Sequence, residues 1–223
     1  MNFERVPSRS GQNATHLWVM LPGAYMKPDD FLRAGFAEAI HSRGLPHDIA
    51  LLEATISELV DGTALAFLQD YLRTTAELPA RQVCVLGISL GAQLAMLCLA
   101  RAGSDAPQSQ AAARVARAHV MAPYLGPRDL LAEVAACGRL ADGALPPKGQ
   151  IDNEREIWRW LQDTTAHKPP LYLGYGSEDR FADAHALMAR SLPADRVDTQ
   201  PGGHDWPVWT ALWNRHLDGF HAR

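Results

Sequence analysis

The stretch VLGISLGAQLAMLCLA, Val85–Ala100, is almost entirely apolar, but it carries one serine between two glycines, in the order Gly-Ile-Ser-Leu-Gly over residues 87–91. The residues before this serine have the length and composition of a buried strand, and those after it have the length of a buried helix. Glycines at the junction indicate a sharp turn, because they have no side chain to collide with nearby backbone. Such a turn lifts the Ser89 hydroxyl above the end of a sheet. The stretch therefore predicts an α/β fold with a serine at one sheet edge.

The rest of the chain alternates short apolar runs with longer helical patterns, as in a mostly parallel sheet with helices on both faces. The expected strands are His16–Leu21, Asp48–Glu53, Gln82–Gly87, Ala116–Ala122, Pro170–Tyr175 and Arg196–Gln200. The expected core helices are Asp29–Ser42, Ala64–Glu77, Leu90–Arg101, Ala182–Leu192 and Pro207–Leu217. A chain of 223 residues suits one domain, so residues 1–223 are expected to share one core.

Residues 124–168 interrupt this alternation, because they place two helical patterns between two expected strands. The patterns cover Arg128–Cys137 and Glu154–Gln162, and the Gly/Pro-rich sequence GALPPKG lies between them. A helical lid over a pocket has this organisation, and so does a subdomain that only packs on the core. If the insertion is a lid, the apolar face of its second helix lines the substrate pocket, and Trp158 belongs to that face.

The order of these features resembles the α/β-hydrolase superfamily from about His16 to Leu217. The Gly-x-Ser-x-Gly turn after a buried strand matches the nucleophile elbow of that superfamily. The segment GGHDWPVW, residues 202–209, is similar to the histidine region of esterases related to esterase D and enterochelin esterase. The antiparallel N-terminal strands of larger members are not evident in the sequence. The resemblance therefore implies a compact α/β-hydrolase fold with about six strands and a small helical insertion.

The resemblance also implies a catalytic triad in which Ser89 is the nucleophile. A serine hydroxyl needs a base, and the base needs a carboxylate to orient it. His204 is the expected base, because it follows two glycines after the last expected strand, where catalytic groups of α/β sheets collect. Other histidines have simpler interpretations as polar helix, loop or strand residues: His41, His119, His167, His185, His216 and His221.

The acid of the triad is expected on the loop after the strand that precedes the histidine loop. Asp179 ends a Gly-x-x-Asp turn of the kind found in α/β-hydrolases, whereas Asp183 fits the first turn of the following helix. We therefore expect Asp179 to be the acid and keep Asp183 as the alternative.

Acyl transfer also needs backbone N–H groups that stabilise the oxyanion of the tetrahedral intermediate. The resemblance implies Leu90, which follows the nucleophile, and Ala24 in the turn LPGAY after the first expected strand. Gly23 allows close approach of the backbone in that turn. Gly23, Tyr25 and Tyr124 follow expected strands, where pocket walls form, and they are candidate substrate-binding residues together with Trp158.

Composition argues against several other classes of protein. The 21 Lys and Arg residues against 25 Asp and Glu give a net charge of −4, which offers no basic field for nucleic acid or anionic lipid. The longest apolar run, residues 83–100, is interrupted by Gly, Ser and Gln and does not fit a membrane span. The N-terminus lacks a signal-peptide pattern, so a cytoplasmic location is expected. The chain has no CxxC and no HExxH motif, so neither a metal nor an organic cofactor is expected.

The sequence therefore predicts a serine hydrolase that cleaves a carboxylic ester or thioester of a small-molecule acyl substrate through an acyl-enzyme. Two alternatives remain: an acyltransferase that uses the same residues, and a non-catalytic binding module with the same fold. Neither the acyl group nor the oligomeric state follows from the sequence.

Overall fold

A computed structural model of the chain describes residues 1–75, 82–101, 115–137, 152–163 and 168–221. Within these ranges one sheet of seven strands forms the centre of the molecule. Its strands are β1 (Asn2–Val6), β2 (His16–Leu21), β3 (His47–Glu53), β4 (Gln82–Ile88), β5 (Val115–Met121), β6 (Leu171–Gly176) and β7 (Val197–Gln200). The spatial order is β1-β3-β2-β4-β5-β6-β7. β1 runs antiparallel to β3, and the other neighbouring pairs are parallel.

The described helices cover both faces of the sheet, as the sequence predicts. They are α1 (Pro28–Arg33), α2 (Phe36–His41), α3 (Ile56–Val60), α4 (Thr63–Thr75), α5 (Leu90–Ala100), α6 (Arg128–Cys137), α7 (Asn153–Gln162), α8 (Ala182–Ala189) and α9 (Trp206–His221). One hydrophobic cluster packs the sheet against α4, α5, α7 and α8, and a second packs its other face against α1, α2 and α9. β2 and β4 are buried along nearly their whole length, which explains why both read as continuous apolar runs.

The structure corrects the expected strand number from about six to seven, because β1 joins the edge of the sheet. Phe3 lies opposite Leu52 of β3, and its ring stacks on Tyr71 with centroids 3.7 Å apart. The sequence of β1, NFERV, is short and half polar, and its residues are exposed or only partly buried. An edge strand of this kind carries little of the hydrophobic pattern that identifies a central strand.

The expected helix over Asp29–Ser42 is two helices in the structure. Gly35 adopts a left-handed conformation with φ of 81° between α1 and α2. This conformation interrupts the helix and is accessible to glycine at little cost. The break lets Phe31 and Phe36, one on each helix, meet edge to face with ring centroids 5.4 Å apart.

The second helix of the insertion, α7, is docked on α5. Ile157, Trp158 and Leu161 of α7 are buried in the first hydrophobic cluster. At the rim of this contact, Gln93 donates to Glu154 at 2.8 Å, and Arg101 forms an ion pair with Glu156. The sequence between α6 and α7, including GALPPKG, lies outside the described residues. The interpretation of residues 124–168 as a lid stays a prediction.

In the part of the chain that the structure describes, no helix combines the length and the apolar character needed to cross a membrane.

Candidate active site

Ser89 lies at the junction of β4 and α5, at the carboxyl edge of the sheet. Its backbone has φ of 54° and ψ of −112°, a strained conformation for a residue with a side chain. Residues held in such conformations cluster at functional sites, where the surrounding structure enforces the strain. Ser89 therefore lies in a strained strand-to-helix turn, residues 87–91, which we call the elbow. Its role as the nucleophile stays a prediction.

The two glycines of the elbow are required by close backbone contacts. A Cβ placed on Gly87 would lie 2.3 Å from the carbonyl oxygen of Gly91. A Cβ placed on Gly91 would lie 2.2 Å from the carbonyl oxygen of Leu21 and 2.6 Å from that of Pro22. Any side chain at these positions would overlap backbone atoms, so the glycines allow α5 to approach both β4 and the turn after β2.

The main chain of Ser89 is held by the last residue of β5 and by the β5 loop, which we define as Ala122–Tyr124. The Ser89 amide donates to the carbonyl of Met121 at 2.9 Å, and the Tyr124 amide donates to the carbonyl of Ser89 at 3.3 Å. Ala122 has φ of 47°, a strained value for a residue other than glycine, and its amide donates to Gly174 of β6 at 2.8 Å. The β5 loop therefore connects the elbow to the neighbouring strand.

The structure brings His204 and Asp179 together. His204 Nδ1 lies 2.7 Å from Asp179 Oδ2, and Asp179 Oδ1 accepts a hydrogen bond from the Phe181 amide at 2.8 Å. The Asp179 side chain is fully buried, whereas the His204 side chain is 16% exposed. Since a carboxylate only accepts, His204 Nδ1–H donates, and this leaves Nε2 as the proton acceptor. Asp183, the alternative candidate for the acid, is exposed in the first turn of α8.

Aromatic rings support the His204 imidazole on two sides. Trp209 meets it edge to face at 5.1 Å between centroids, and Phe181 does so at 5.7 Å. Asp205, next to His204, accepts from the Val208 amide at 3.2 Å and so caps the start of α9. Among the described residues, no hydrogen bond joins the Ser89 hydroxyl to His204, and such bonds often shorten only when substrate is bound.

Two backbone amides beside the elbow have no acceptor in the described part of the chain. They belong to Ala24 and Leu90, the residues expected to form the oxyanion hole. Leu90 follows Ser89 directly at the first position of α5, where helix N–H groups lack an internal partner. Gly23 lies close to the end of β4, since a Cβ placed on it would be 3.2 Å from the carbonyl oxygen of Ile88. The turn after β2 thus passes beside the elbow.

A groove of about 550 Å³ borders the residues that follow Ala24 in the chain. Three groups of residues line it: Tyr25–Lys27, the start of the chain at Met1 and Asn2, and Glu53–Ile56 with Glu58 at the end of β3 and the start of α3. Tyr25 is 85% exposed and has φ of 62°, so a strained backbone presents its ring at the groove. Met26 Sδ accepts from the Gly23 amide at 3.1 Å, which links the groove wall to the turn.

The other two candidate substrate-binding residues differ in exposure. Tyr124 is partly buried in the β5 loop and meets Phe181 edge to face at 6.5 Å. Burial raises the pKa of its phenol, and the charges of Glu154 and Asp129 raise it further. Trp158 is 1% exposed, and its indole N–H donates to the carbonyl of Leu125 at 3.0 Å. These contacts place Trp158 in the packing between α7 and the core, and a role in substrate binding stays a prediction.

Comparison with known proteins supports the same architecture. No protein-family model matches the chain, and no curated protein matches it. Solved structures do match over nearly the whole chain. Esterase 2 of Thermogutta terrifontis, with butyrate bound, is 14% identical with a TM-score of 0.65, covering 98% of this chain and 87% of that one. The S-formylglutathione hydrolase of Staphylococcus aureus is 13% identical with a TM-score of 0.61, covering 93% and 81%. Est1E of Butyrivibrio proteoclasticus is 13% identical with a TM-score of 0.60, covering 100% and 99%.

The chain has the α/β-hydrolase fold. At 13 to 14% identity these structures show a shared fold. The candidate site is argued from the geometry of this chain's own residues. In a mostly parallel sheet, binding and catalytic groups collect at the carboxyl ends of the strands. Ser89 follows β4, the Asp179 turn follows β6 and the His204 loop follows β7, so all three lie at that edge.

The thiols of Cys84 and Cys98 are buried and poorly suited to act as nucleophiles. Burial raises the pKa of the Cys84 and Cys98 thiols to about 12, so both stay protonated at neutral pH. Across the described ranges, no group of three or more His, Cys, Asp or Glu side chains is placed to hold a metal ion.

One residue near the site was not recognised from the sequence. His185, interpreted there as a polar helix residue, has 0% exposure, and its Nε2 donates to the carbonyl of Pro123 at 3.0 Å. The sequence does contain a pattern that indicates burial, because residues 181, 184, 185 and 188 have the i, i+3, i+4, i+7 spacing of a buried helix face. His185 belongs to that face and lies between the β5 loop and the Asp179 turn.

Proposed function

We propose that this protein is a serine hydrolase that cleaves a carboxylic ester or thioester through an acyl-enzyme, with Ser89, His204 and Asp179 as its triad. The observation that carries the proposal is the 2.7 Å hydrogen bond between His204 and buried Asp179, at the sheet edge where Ser89 is held in a strained elbow. The bond fixes the imidazole tautomer that a general base requires.

In the proposed reaction, Ser89 Oγ attacks the carbonyl carbon of the ester while His204 Nε2 accepts the hydroxyl proton. Asp179 stabilises the imidazolium that forms, and the amides of Ala24 and Leu90 donate to the oxyanion. His204 then gives its proton to the leaving alcohol or thiol, and Ser89 keeps the acyl group. Water attacks the acyl-enzyme with His204 again as base, which releases the acid and restores the serine.

The proposal has support from the solved structures of similar fold. One of them, from Staphylococcus aureus, is described as a fluorophosphonate-binding serine hydrolase, and esterase 2 of Thermogutta terrifontis is described with butyrate bound. Both descriptions concern those proteins. For this chain they make an ester the first substrate class to examine.

We further propose that the groove beside Tyr25 receives the apolar part of the substrate. Its volume lies in the range of small-molecule sites. Tyr25 offers an exposed aromatic face and Met26 a polarizable thioether, and both suit an apolar or aromatic group. Gly23 and Ala24 directly precede Tyr25 in the turn after β2. An ester whose carbonyl is bound at the elbow could therefore place its apolar substituent in the groove. Tyr124 is also adjacent to Ser89, because its amide donates to the Ser89 carbonyl at 3.3 Å.

The test is turnover of aryl esters of graded acyl length by the wild type and by Ser89→Ala. Loss of the nucleophile of such a triad lowers kcat on the order of 10⁶-fold. Ser191→Ala, an exposed serine after α8, is the matched control and is expected to retain full activity. Product analysis with added alcohol distinguishes hydrolysis from acyl transfer. A Ser89→Ala variant that folds and keeps more than a tenth of the activity would contradict the proposal.

A further inference from the structure

His185 is a buried imidazole that the proposed reaction does not use. It has no exposed surface, and its Nε2 lies 3.0 Å from the carbonyl oxygen of Pro123. A carbonyl only accepts, so the proton is on Nε2 and Nδ1 carries the lone pair. Nδ1 is buried and receives no hydrogen bond from any residue that the structure describes. A buried acceptor without a donor destabilises a fold, so packing alone favours an apolar residue here.

The acceptor of this hydrogen bond belongs to the loop that holds the nucleophile. Pro123 is the middle residue of the β5 loop, between strained Ala122 and Tyr124, whose amide donates to the Ser89 carbonyl. Pro123 itself has no N–H, so its carbonyl is its one main-chain hydrogen-bonding group. The bond from His185 therefore acts on the loop at the point next to its contact with the elbow.

The donor of the bond belongs to the helix that follows the acid. The Ala182 amide donates to the carbonyl of Asp179 at 2.8 Å, and the Phe181 amide donates to Asp179 Oδ1. The His185 amide donates to the carbonyl of Phe181 at 3.1 Å. The start of α8 is thus continuous with the turn that holds the triad carboxylate, and a shift of His185 would be transmitted to Asp179.

We propose that His185 is a positioning residue, whose Nε2–H bond to Pro123 sets the distance between the elbow that carries Ser89 and the Asp179–His204 pair. This inference rests on the proposed function. In this proposal, the buried His185 side chain connects the elbow, which follows β4, to the Asp179 turn, which follows β6. A displacement of about 1 Å between reacting groups is enough to lower a rate about 100-fold.

The electrostatics of His185 are consistent with a neutral donor. Burial lowers its pKa, the buried Asp179 carboxylate and the bond to Pro123 raise it, and His204 lowers it. The net direction is downward, so the imidazole is uncharged near neutral pH. An uncharged His185 leaves Asp179 as the partner of His204 alone.

Two variants of similar length separate the hydrogen bond from packing. In His185→Gln the side-chain amide nitrogen can take the place of Nε2 and donate to Pro123, whereas in His185→Met no donor remains. We expect His185→Met to lower kcat about 10- to 100-fold with KM changed less than about threefold. His185→Gln should recover most of that loss. His47→Met, which removes another buried histidine at the amino end of β3, should lower stability without changing kcat.

Two further readouts do not depend on turnover. Amide exchange at Tyr124 should accelerate in His185→Met and stay slow in His185→Gln, because the β5 loop is released only in the former. In the wild type, imidazole ¹⁵N shifts should show His185 with Nε2 protonated and Nδ1 unprotonated, which can be measured even if a variant does not fold. If the wild type shows no Ser89-dependent turnover, the proposed function fails, while these readouts still test the His185 bond.

Three results would overturn the inference. Unchanged kcat in a folded His185→Met variant would give His185 a packing role alone. Equal loss of kcat in His185→Met and His185→Gln would show that the bond to Pro123 is not what matters. A wild-type His185 protonated on Nδ1 and not on Nε2 would exclude the proposed donor.

Discussion

Gly91 offers a direct test of the geometry around the elbow. In Gly91→Ala the new methyl group would lie 2.2 Å from the Leu21 carbonyl oxygen and 2.6 Å from that of Pro22. Ordinary contacts lie near 3.5 Å, so α5 or the turn after β2 must move by about 1 Å. Overpacking of this kind lowers the free energy of unfolding by roughly 1 to 3 kcal/mol. The same movement separates Ala24 from Ser89, and we expect kcat/KM to fall about 100-fold.

The assays for Gly91→Ala are urea denaturation for stability and aryl-ester hydrolysis for kcat/KM. Gly219→Ala is the matched control, because Gly219 lies within α9 and a Cβ placed on it meets no atom within 4 Å. A helical Gly-to-Ala change with free space should raise the free energy of unfolding by about 0.5 to 1 kcal/mol and leave kcat/KM unchanged. Wild-type stability and wild-type kcat/KM in Gly91→Ala would refute the close contact between α5 and the turn after β2.

Three other predictions concern the acid, the groove and pH. Asp179→Asn should lower kcat about 10⁴-fold by favouring the wrong His204 tautomer, whereas Asp183→Asn should have little effect on kcat. If steady-state kinetics showed the reverse, Asp183 would be the acid. Tyr25→Ala should raise KM for aryl esters more than for acetyl esters of small alcohols, and an equal change for both would remove the groove from substrate binding. Burial lowers the pKa of His119 and His185 from 6.5, so below about pH 6.5 the unfolded chain binds more protons than the folded one. The free energy of unfolding should therefore fall as pH drops from 7 to 5, by at most about 1.4 kcal/mol per pH unit for each histidine. Denaturation curves should show a smaller fall in His119→Gln, and an unchanged fall would contradict the lowered pKa of His119.

The central strands could be predicted from sequence because their apolar runs are long and both faces are buried. The bounds of β2 match the expected His16–Leu21, and those of β4 extend the expected strand by one residue to Ile88. The turn at Gly87 and Gly91 could also be predicted, because backbone atoms close to both positions leave no room for a side chain. Local sequence and tertiary packing agree at these positions, and such agreement is what makes a prediction succeed.

The features that the sequence did not reveal depend on neighbours distant in the chain. β1 is stabilised by pairing with β3 and by Phe3 on Tyr71, and neither partner can be inferred from NFERV itself. His185 has a polar side chain, and only the β5 loop, about 60 residues earlier in the chain, gives its Nε2 an acceptor. The pairing of Asp179 with His204 rested on the resemblance in chain order, since composition alone leaves several carboxylates near the histidine loop.

The most direct test of the proposed hydrolase is to find which residue reacts with a fluorophosphonate. Such a probe bonds covalently to a serine that is activated by a base, so labelling reports the nucleophile without knowledge of the natural ester. Intact mass and peptide mapping should show one label on the wild type, located at Ser89, and no label on Ser89→Ala. Labelling of a different serine, or aryl-ester turnover by a protein whose Ser89 stays unlabelled, would contradict the proposed role of Ser89.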